Sequence, residues 1–94
     1  MAQVKTKTSK KRITFRLQAQ PGSDVHVAGD FNDWDPSARR MKDKNNNGNY
    51  TTTMLLPPGE YQYKFVIDGH WSIDPNCDEW VPNAMGSLNS VLKI

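Results

Sequence analysis

Cysteine is nearly absent from this chain of 94 residues, in which Cys77 is the only one. A single thiol cannot form an intramolecular disulfide, so the disulfide-stapled scaffolds of small secreted proteins are disfavoured. A lone cysteine also lacks the partner thiolates from which structural zinc sites are built. We therefore interpret Cys77 as an incidental thiol, and we expect the protein to reside in the cytoplasm.

Long apolar runs are missing as well. No stretch is long enough for a signal-peptide core or a membrane span, and the N-terminus is rich in Thr, Lys and Ser instead. The length suits one domain and is too short for a catalytic barrel with an accessory module. We expect a single domain with no membrane partner.

Basic residues are concentrated at the N-terminus. Five of the twelve Lys and Arg residues lie within the first twelve positions, and residues 13–94 carry seven basic and ten acidic side chains, a net charge of −3. A mildly acidic body is poorly suited to binding nucleic acid. Because the basic segment has no apolar interleaving, it predicts a flexible, solvated arm over residues 1–11 and a folded domain over residues 12–94.

Alternating apolar and polar residues predict a series of short strands. The patterns cover residues 12–19, 25–29, 50–56, 61–68 and 87–94, with a further short edge strand beginning at Met41 and a long loop over residues 74–85. Turn residues separate these runs, and no segment shows a convincing helical period. The fold class predicted is all-β, an immunoglobulin-like sandwich of about seven short antiparallel strands.

The clearest apolar stripe of the chain is formed by Tyr61, Tyr63, Phe65 and Ile67. Side chains alternate between the two faces of a strand, so Lys64 is predicted on the face opposite this stripe. There its ammonium group would be available to a ligand.

Two tryptophans, Trp34 and Trp71, each stand just after a turn signal, among Asp, Asn and Gly and outside any apolar run. Flat aromatic rings in such surroundings have two interpretations, ligand stacking and core packing. We favour stacking, because nothing near them in the sequence supplies a buried face. A sugar ring suits this arrangement, since it offers an apolar face of C–H groups and a rim of hydroxyls.

Four ordered blocks of the sequence resemble carbohydrate-binding module family 48. They are residues 29–34, residues 56–71, Asp74 with Pro75, and residues 86–92, and the resemblance extends over about residues 13–94. This family includes the glycogen-binding domain of the AMP-activated protein kinase beta subunit and the N-terminal domains of isoamylase and glycogen branching enzyme. The resemblance implies the same immunoglobulin-like sandwich.

The resemblance also implies a set of sugar-binding residues. The positions that match the contacts of kinase-type members are Trp34, Lys64, Trp71, Met85, Ser87 and Asn89. Two of them depart from the kinase subunit, because Met85 stands in place of a leucine and Ser87 in place of a threonine. Met85 retains a flexible apolar side chain and Ser87 retains the hydroxyl. Taken alone, Asn89 fits an ordinary solvated strand face equally well.

Two other chemistries are disfavoured by the sequence. Residues 43–50 follow the opening of a calcium-binding loop, but the twelfth position is Met54 instead of a bidentate Glu, so we interpret the segment as a hairpin tip. Glycoside hydrolysis requires two carboxyl groups on either side of a shaped cleft, and this chain is too short to form the walls of such a cleft. We expect no metal, no cofactor and no enzymatic activity.

The sequence thus predicts a non-catalytic module that binds α-1,4-glucans such as glycogen, starch and maltooligosaccharides by tryptophan stacking. The alternative is a regulatory module of the same fold that docks a kinase or a glucan-processing enzyme, because fold alone does not determine function.

Overall fold

The computed structural model describes residues 10–94, which form seven strands and one short 3-10 turn. The strands are β1 (Lys11–Gln18), β2 (Val25–Gly29), β3 (Asn49–Leu56), β4 (Glu60–Ile67), β5 (His70–Ser72), β6 (Trp80–Pro82) and β7 (Leu88–Lys93), and the 3-10 turn is Asp30–Asn32. The predicted all-β sandwich is confirmed. Most of the predicted arm, namely residues 1–9, lies outside the described residues, and β1 begins at Lys11, one position before the predicted domain boundary.

Two antiparallel sheets build the sandwich. The small sheet pairs β1 with β3, and the large sheet has the order β2-β4-β7-β6, with β5 also paired to β4. Strand β4 is the centre of the large sheet: β2 lies along one edge, while β7 and β5 share the other, β7 beside residues 60–63 and β5 beside residues 65–67. Strand β4 therefore links all elements that later form the site.

The core lies between the sheets and follows the predicted alternation. Phe15 and Leu17 of the small sheet, and Tyr63 and Phe65 of β4, are all buried, and the Phe15 and Tyr63 rings meet edge to face with their centroids 5.0 Å apart. The predicted stripe on β4 thus forms the inner face of the large sheet. Its outer face is left for Lys64 and its neighbours.

Two predicted segments differ from the structure. The edge strand predicted at Met41 is absent from the described residues, where only single bridges join Arg40 to His26 and Lys42 to Thr51. The loop predicted over residues 74–85 contains β6, whose Trp80 pairs with Ser90 of β7. Three residues are too few for alternation to be visible in the sequence, and β6 is held mainly by its pairing partner.

The segment between β5 and β6 is fastened by Asp74. Its carboxylate accepts hydrogen bonds from the Tyr63 hydroxyl (2.7 Å) and from the backbone N–H of Asn76 (2.9 Å), and its own N–H donates to the Ser90 hydroxyl (2.9 Å). Burial, followed by the hydrogen bond to Asp74, raises the pKa of Tyr63 far above its usual range. Asp74 therefore ties this segment to both β4 and β7.

The turn before β3 closes on itself. The carboxylate of Asp43 accepts hydrogen bonds from the N–H groups of Asn47 (3.0 Å) and Gly48 (2.7 Å), which fits the hairpin tip predicted there.

Among residues 10–94, no helix combines the length and apolar character needed to cross a bilayer.

Candidate sugar-binding site

A single open cavity on the outer face of the large sheet brings together all six residues predicted to bind sugar. Its volume is about 740 Å³. The lining residues are Trp34, Lys64, Trp71, Met85, Ser87 and Asn89, together with Asn83 and Ala84. The six come from four separate parts of the chain, so pairing of the strands is what assembles them.

Trp34 is positioned by the tight segment that follows β2. Its backbone is left-handed, with φ at 59°, a conformation that large L residues rarely adopt. Two hydrogen bonds hold it there: its N–H donates to the Gly29 carbonyl (2.9 Å) and its indole Nε1 donates to the Asp30 carboxylate (3.0 Å). Asp30 also accepts a bond from the backbone N–H of Gln62 (2.8 Å). The ring of Trp34 is thereby fixed relative to β4.

Gly29 is required where this segment leaves the sheet. A Cβ atom at this position would lie 2.4 Å from the Gln62 carbonyl oxygen and 2.8 Å from the Tyr63 Cβ. Since both atoms belong to β4, no side chain can move aside to make room. The close approach of Gly29 to β4 is what allows the next residues to turn towards the cavity.

Trp71 is presented by the short strand β5. Register places it beside Val66 of β4, on the same outer face as Lys64. Its side chain remains 45% exposed, and its ring centroid lies 6.4 Å from that of Trp34, with 39° between the ring planes. The pair forms an angled aromatic surface, open to solvent, at one side of the cavity.

Lys64 lies on the predicted face of β4, but that face is not exposed. The residue is only 8% exposed, and its Nζ donates a hydrogen bond to the Ser87 hydroxyl (2.8 Å). No carboxylate in the described part of the chain lies within ion-pair distance of it. A nearly buried ammonium group therefore faces the cavity, with three N–H donors of which one is used by the Ser87 hydroxyl.

Asn89 is likewise on the predicted outer face and likewise buried, at 7% exposure. Its amide nitrogen donates to the Gln62 side-chain oxygen (2.9 Å), and its amide oxygen accepts from the Asn83 amide nitrogen (3.0 Å). The solvated strand face considered from the sequence is therefore not what the structure contains. Asn89 belongs to a chain of three linked amides.

The loop between β6 and β7 carries the remaining residues. Asn83 closes it: the Asn83 N–H donates to the Ser87 carbonyl (2.9 Å), and the Gly86 N–H donates to the Asn83 carbonyl (3.2 Å). Gly86 has φ at 78°, as expected for the last residue of such a three-residue hairpin loop. The loop projects Met85 outwards with 90% exposure.

Asn83 and Ala84 are cavity residues that the sequence reasoning missed. A signal was present, since an Asn followed three positions later by a Gly is a turn pattern. That pattern was hidden within the segment interpreted as one long loop. Without β6 there was no hairpin for Asn83 to close.

Residues 11–94 match the family described as the glycogen recognition site of AMP-activated protein kinase. The rat 5'-AMP-activated protein kinase subunit beta-2 is 31% identical over 87 residues, which are 93% of this chain and 31% of the relative. The pig subunit beta-1 is 32% identical over 73 residues, which are 78% of this chain and 56% of the relative. The chain thus spans about a third of the length of the beta-2 relative. The resemblance found from the sequence blocks is confirmed.

Proposed function

Because this chain belongs to the family described as the glycogen recognition site of AMP-activated protein kinase, we propose that it is a non-catalytic module that binds α-1,4-glucans by tryptophan stacking. The observation that carries the proposal is the angled pair of Trp34 and Trp71 beside the nearly buried ammonium group of Lys64. Aromatic rings complement the apolar face of a glucose unit, and the ammonium group complements its hydroxyl oxygens.

The angle between the two indole planes suits a curved chain. With 39° between the planes, two successive sugar rings stacked on Trp34 and Trp71 would be tilted relative to each other. α-1,4-linked glucans curve, whereas β-1,4-linked chains are extended and flat. The aromatic surface therefore favours glycogen, starch and maltooligosaccharides over cellulose.

Polar groups at the cavity floor supply hydrogen bonds to the sugar rim. Lys64 retains donors beyond the one used by Ser87, and Asn89 retains one amide hydrogen beyond its bond to Gln62. Met85 lines the same cavity with a flexible apolar side chain that can lie against the glucan. The lining thus combines the groups needed to hold a neutral polyhydroxylated ligand.

The same lining has no pair of carboxyl groups for cleaving a glycosidic bond. Hydrolysis by the common mechanisms needs a carboxylic acid and a second carboxylate on either side of the bond. None of the described residues that line the cavity is an Asp or a Glu. The carboxylate of Asp30, which contacts the Trp34 indole from outside the cavity, already accepts bonds from Trp34 and Gln62.

Native electrophoresis through gels cast with polysaccharide tests this proposal. Glycogen or amylopectin should retard the protein, whereas dextran and soluble cellulose derivatives should not. Because the site is open and holds about two rings, affinity for short maltooligosaccharides should lie between roughly millimolar and micromolar. Equal mobility in all four gels would reject the proposal.

Docking to a protein kinase subunit is a second candidate. The relatives are named as subunits of a kinase, and two large apolar side chains outside the cavity, Leu55 and Trp80, are at least half exposed. Gel filtration of the chain with a purified kinase catalytic subunit tests this candidate. Co-elution that is lost on Leu55→Ser or Trp80→Ser, and retained on Trp34→Ala, would support docking separate from sugar binding.

A further inference from the structure

Asn83 occupies the start of an amide relay that leads into the sugar site. Its side-chain oxygen accepts hydrogen bonds from two backbone N–H groups of its own loop, those of Met85 (2.9 Å) and Ser87 (3.0 Å). Backbone N–H groups are donors only, so the atom that faces them must be the amide oxygen. The Asn83 nitrogen must then point the other way, towards Asn89.

The orientation passes from one amide to the next. The Asn83 nitrogen donates to the Asn89 oxygen (3.0 Å), which leaves the Asn89 nitrogen to donate to the Gln62 oxygen (2.9 Å). An isolated amide can rotate by half a turn and exchange donor for acceptor at similar cost. In this relay neither Asn89 nor Gln62 can do so without placing two donors or two acceptors face to face.

From this geometry we infer that Asn83 is a positioning residue that fixes which atom of Asn89 faces the sugar. The inference rests on the proposed function, and it adds a specificity-determining residue outside the set suggested by the sequence. A preset Asn89 offers one hydrogen-bond donor and one acceptor lone pair in fixed places. An Asn89 free to rotate would have to be ordered when the glucan binds, which weakens binding.

The same two bonds also shape the loop. By accepting from Met85 and Ser87, Asn83 holds the backbone that places the Ser87 hydroxyl against Lys64 (2.8 Å). A variant that removes the whole side chain would disturb both loop and relay. The test therefore needs a change that keeps the acceptor and removes the donor.

Asn83→Asp makes that change, because a carboxylate accepts both backbone N–H groups but has no proton to donate to Asn89. Around neutral pH this carboxylate favours a rotated Asn89 whose nitrogen donates to it, so the relay reverses and Asn89 presents its donor and its acceptor to the sugar in exchanged places. We therefore expect glucan affinity to fall about tenfold. The thermal midpoint should stay near that of the wild type. Asn45→Asp, at an exposed turn position that does not line the cavity, carries the same charge change and serves as the control.

The pH profile separates a lost donor from an added charge. The introduced carboxyl group has a proton to donate only when it is neutral. Its two backbone N–H donors favour the charged form, so binding by Asn83→Asp should recover only as the pH falls below the ordinary pKa of an aspartate side chain. None of the described lining residues is an Asp, a Glu or a His, so wild-type binding should change little over this range. Binding that stays weak at low pH, or is normal at neutral pH, would overturn the inference.

A measurement without sugar keeps this result distinct from the proposed function. In wild-type protein, NMR should show two distinct side-chain amide proton resonances for Asn89, and Asn83→Asp should shift both at neutral pH, because the Asn89 nitrogen turns from Gln62 to the new carboxylate. Unchanged resonances would reject the relay even if glycogen binds. Shifted resonances in Asn83→Asp, together with a wild-type protein that binds no glucan, would reject the proposed function and leave the relay standing.

Discussion

At the residue scale, the two tryptophans of the cavity are held in different ways. Trp34 keeps a left-handed backbone because Asp30 and Gly29 bind its indole and its N–H, whereas Trp71 follows from the register of β5 beside β4. Unfavourable backbone conformations persist where surrounding bonds determine them, and they are common at binding sites. Neither ring is part of the core between the sheets, so each is available to a ligand.

Replacing either tryptophan should therefore affect binding more than stability. We expect Trp34→Ala and Trp71→Ala each to weaken glycogen binding by about 1 to 3 kcal/mol, the range for losing a large aromatic contact. Thermal unfolding should change little, because Trp71 is already 45% exposed. Calorimetric titration with a maltooligosaccharide measures the first effect and scanning calorimetry the second.

Trp80→Ala is the matched control for this pair. Trp80 is 50% exposed, but it lies on β6 and does not line the cavity. Its removal should leave glucan affinity unchanged. Loss of binding in Trp80→Ala, or unfolding of the Trp34 and Trp71 variants, would contradict the assignment of stacking to the cavity pair.

Because its hydroxyl group is buried, Tyr63 should lower the free energy of unfolding at alkaline pH. Burial, followed by the bond to Asp74, raises the folded-state pKa of Tyr63, whereas the unfolded value is about 10. Below pH 10 both states hold the proton and stability is unaffected by this group. Above pH 10 the unfolded chain releases it while the folded chain does not, so the free energy of unfolding should fall as pH rises.

Urea unfolding at pH 7 and at pH 11 measures this dependence. Tyr63→Phe should lose less stability between the two pH values than the wild type, although it starts about 1 kcal/mol lower because the bond to Asp74 is gone. The other tyrosines are present in both proteins and cancel in the comparison. An equal loss in both would show that Tyr63 ionises as readily in the folded state.

At the scale of elements, the site depends on two short turns closed by asparagine side chains. After β2, the Asn32 amide donates to the Val27 carbonyl (3.0 Å) and its oxygen accepts from the Gly29 N–H (3.0 Å). Between β6 and β7, Asn83 has the corresponding role for Met85 and Ser87. Side-chain bonds to the backbone stabilise such turns without a buried apolar face.

Gly29→Ala tests the first of these turns. The added methyl group would overlap the backbone of β4, so we expect a loss of about 1 to 3 kcal/mol in the free energy of unfolding together with weaker glycogen binding, because Trp34 would shift. Gly22→Ala is the control, since no atom lies within 4 Å of its Cβ position. Its cost should be limited to that of a left-handed backbone, about 1 to 2 kcal/mol, with normal binding.

Denaturant unfolding and affinity electrophoresis together distinguish the outcomes. A Gly29→Ala protein with wild-type stability would mean that the turn can move away from β4. Normal glycogen binding by a destabilised Gly29→Ala protein would mean that Trp34 does not depend on this turn.

At the scale of the whole molecule, the core and the candidate site lie on opposite faces of the large sheet. The inner face packs against the small sheet through Phe15, Tyr63 and Phe65, while the outer face carries the cavity. Lys64 and Asn89 are polar residues buried on that outer face, and their hydrogen bonds to Ser87, Gln62 and Asn83 offset the cost of burial. Ligand contacts can therefore vary with little effect on the core.

Deleting residues 2–9 should leave both properties nearly unchanged. The described core and cavity are built from residues 11–94, and a neutral glucan offers no charge for the basic segment to meet. Maltooligosaccharide affinity and the thermal midpoint should match those of the full chain at low and at physiological salt. A fall in affinity on deletion, measured by calorimetric titration, would make the segment part of the site.

The five longer strands, the inward stripe on β4, the sharp turns and the residue types suited to sugar could be predicted from the amino-acid order. They follow from local rules, because side-chain alternation and turn geometry depend on neighbouring residues. The meeting of Trp34 with Trp71, the burial of Lys64 and Asn89 on their outer face, and the hairpin of β6 that Asn83 closes required the folded structure. Those features arise from strand register and from pairing between distant segments. The periodicity of a single segment determines neither of them.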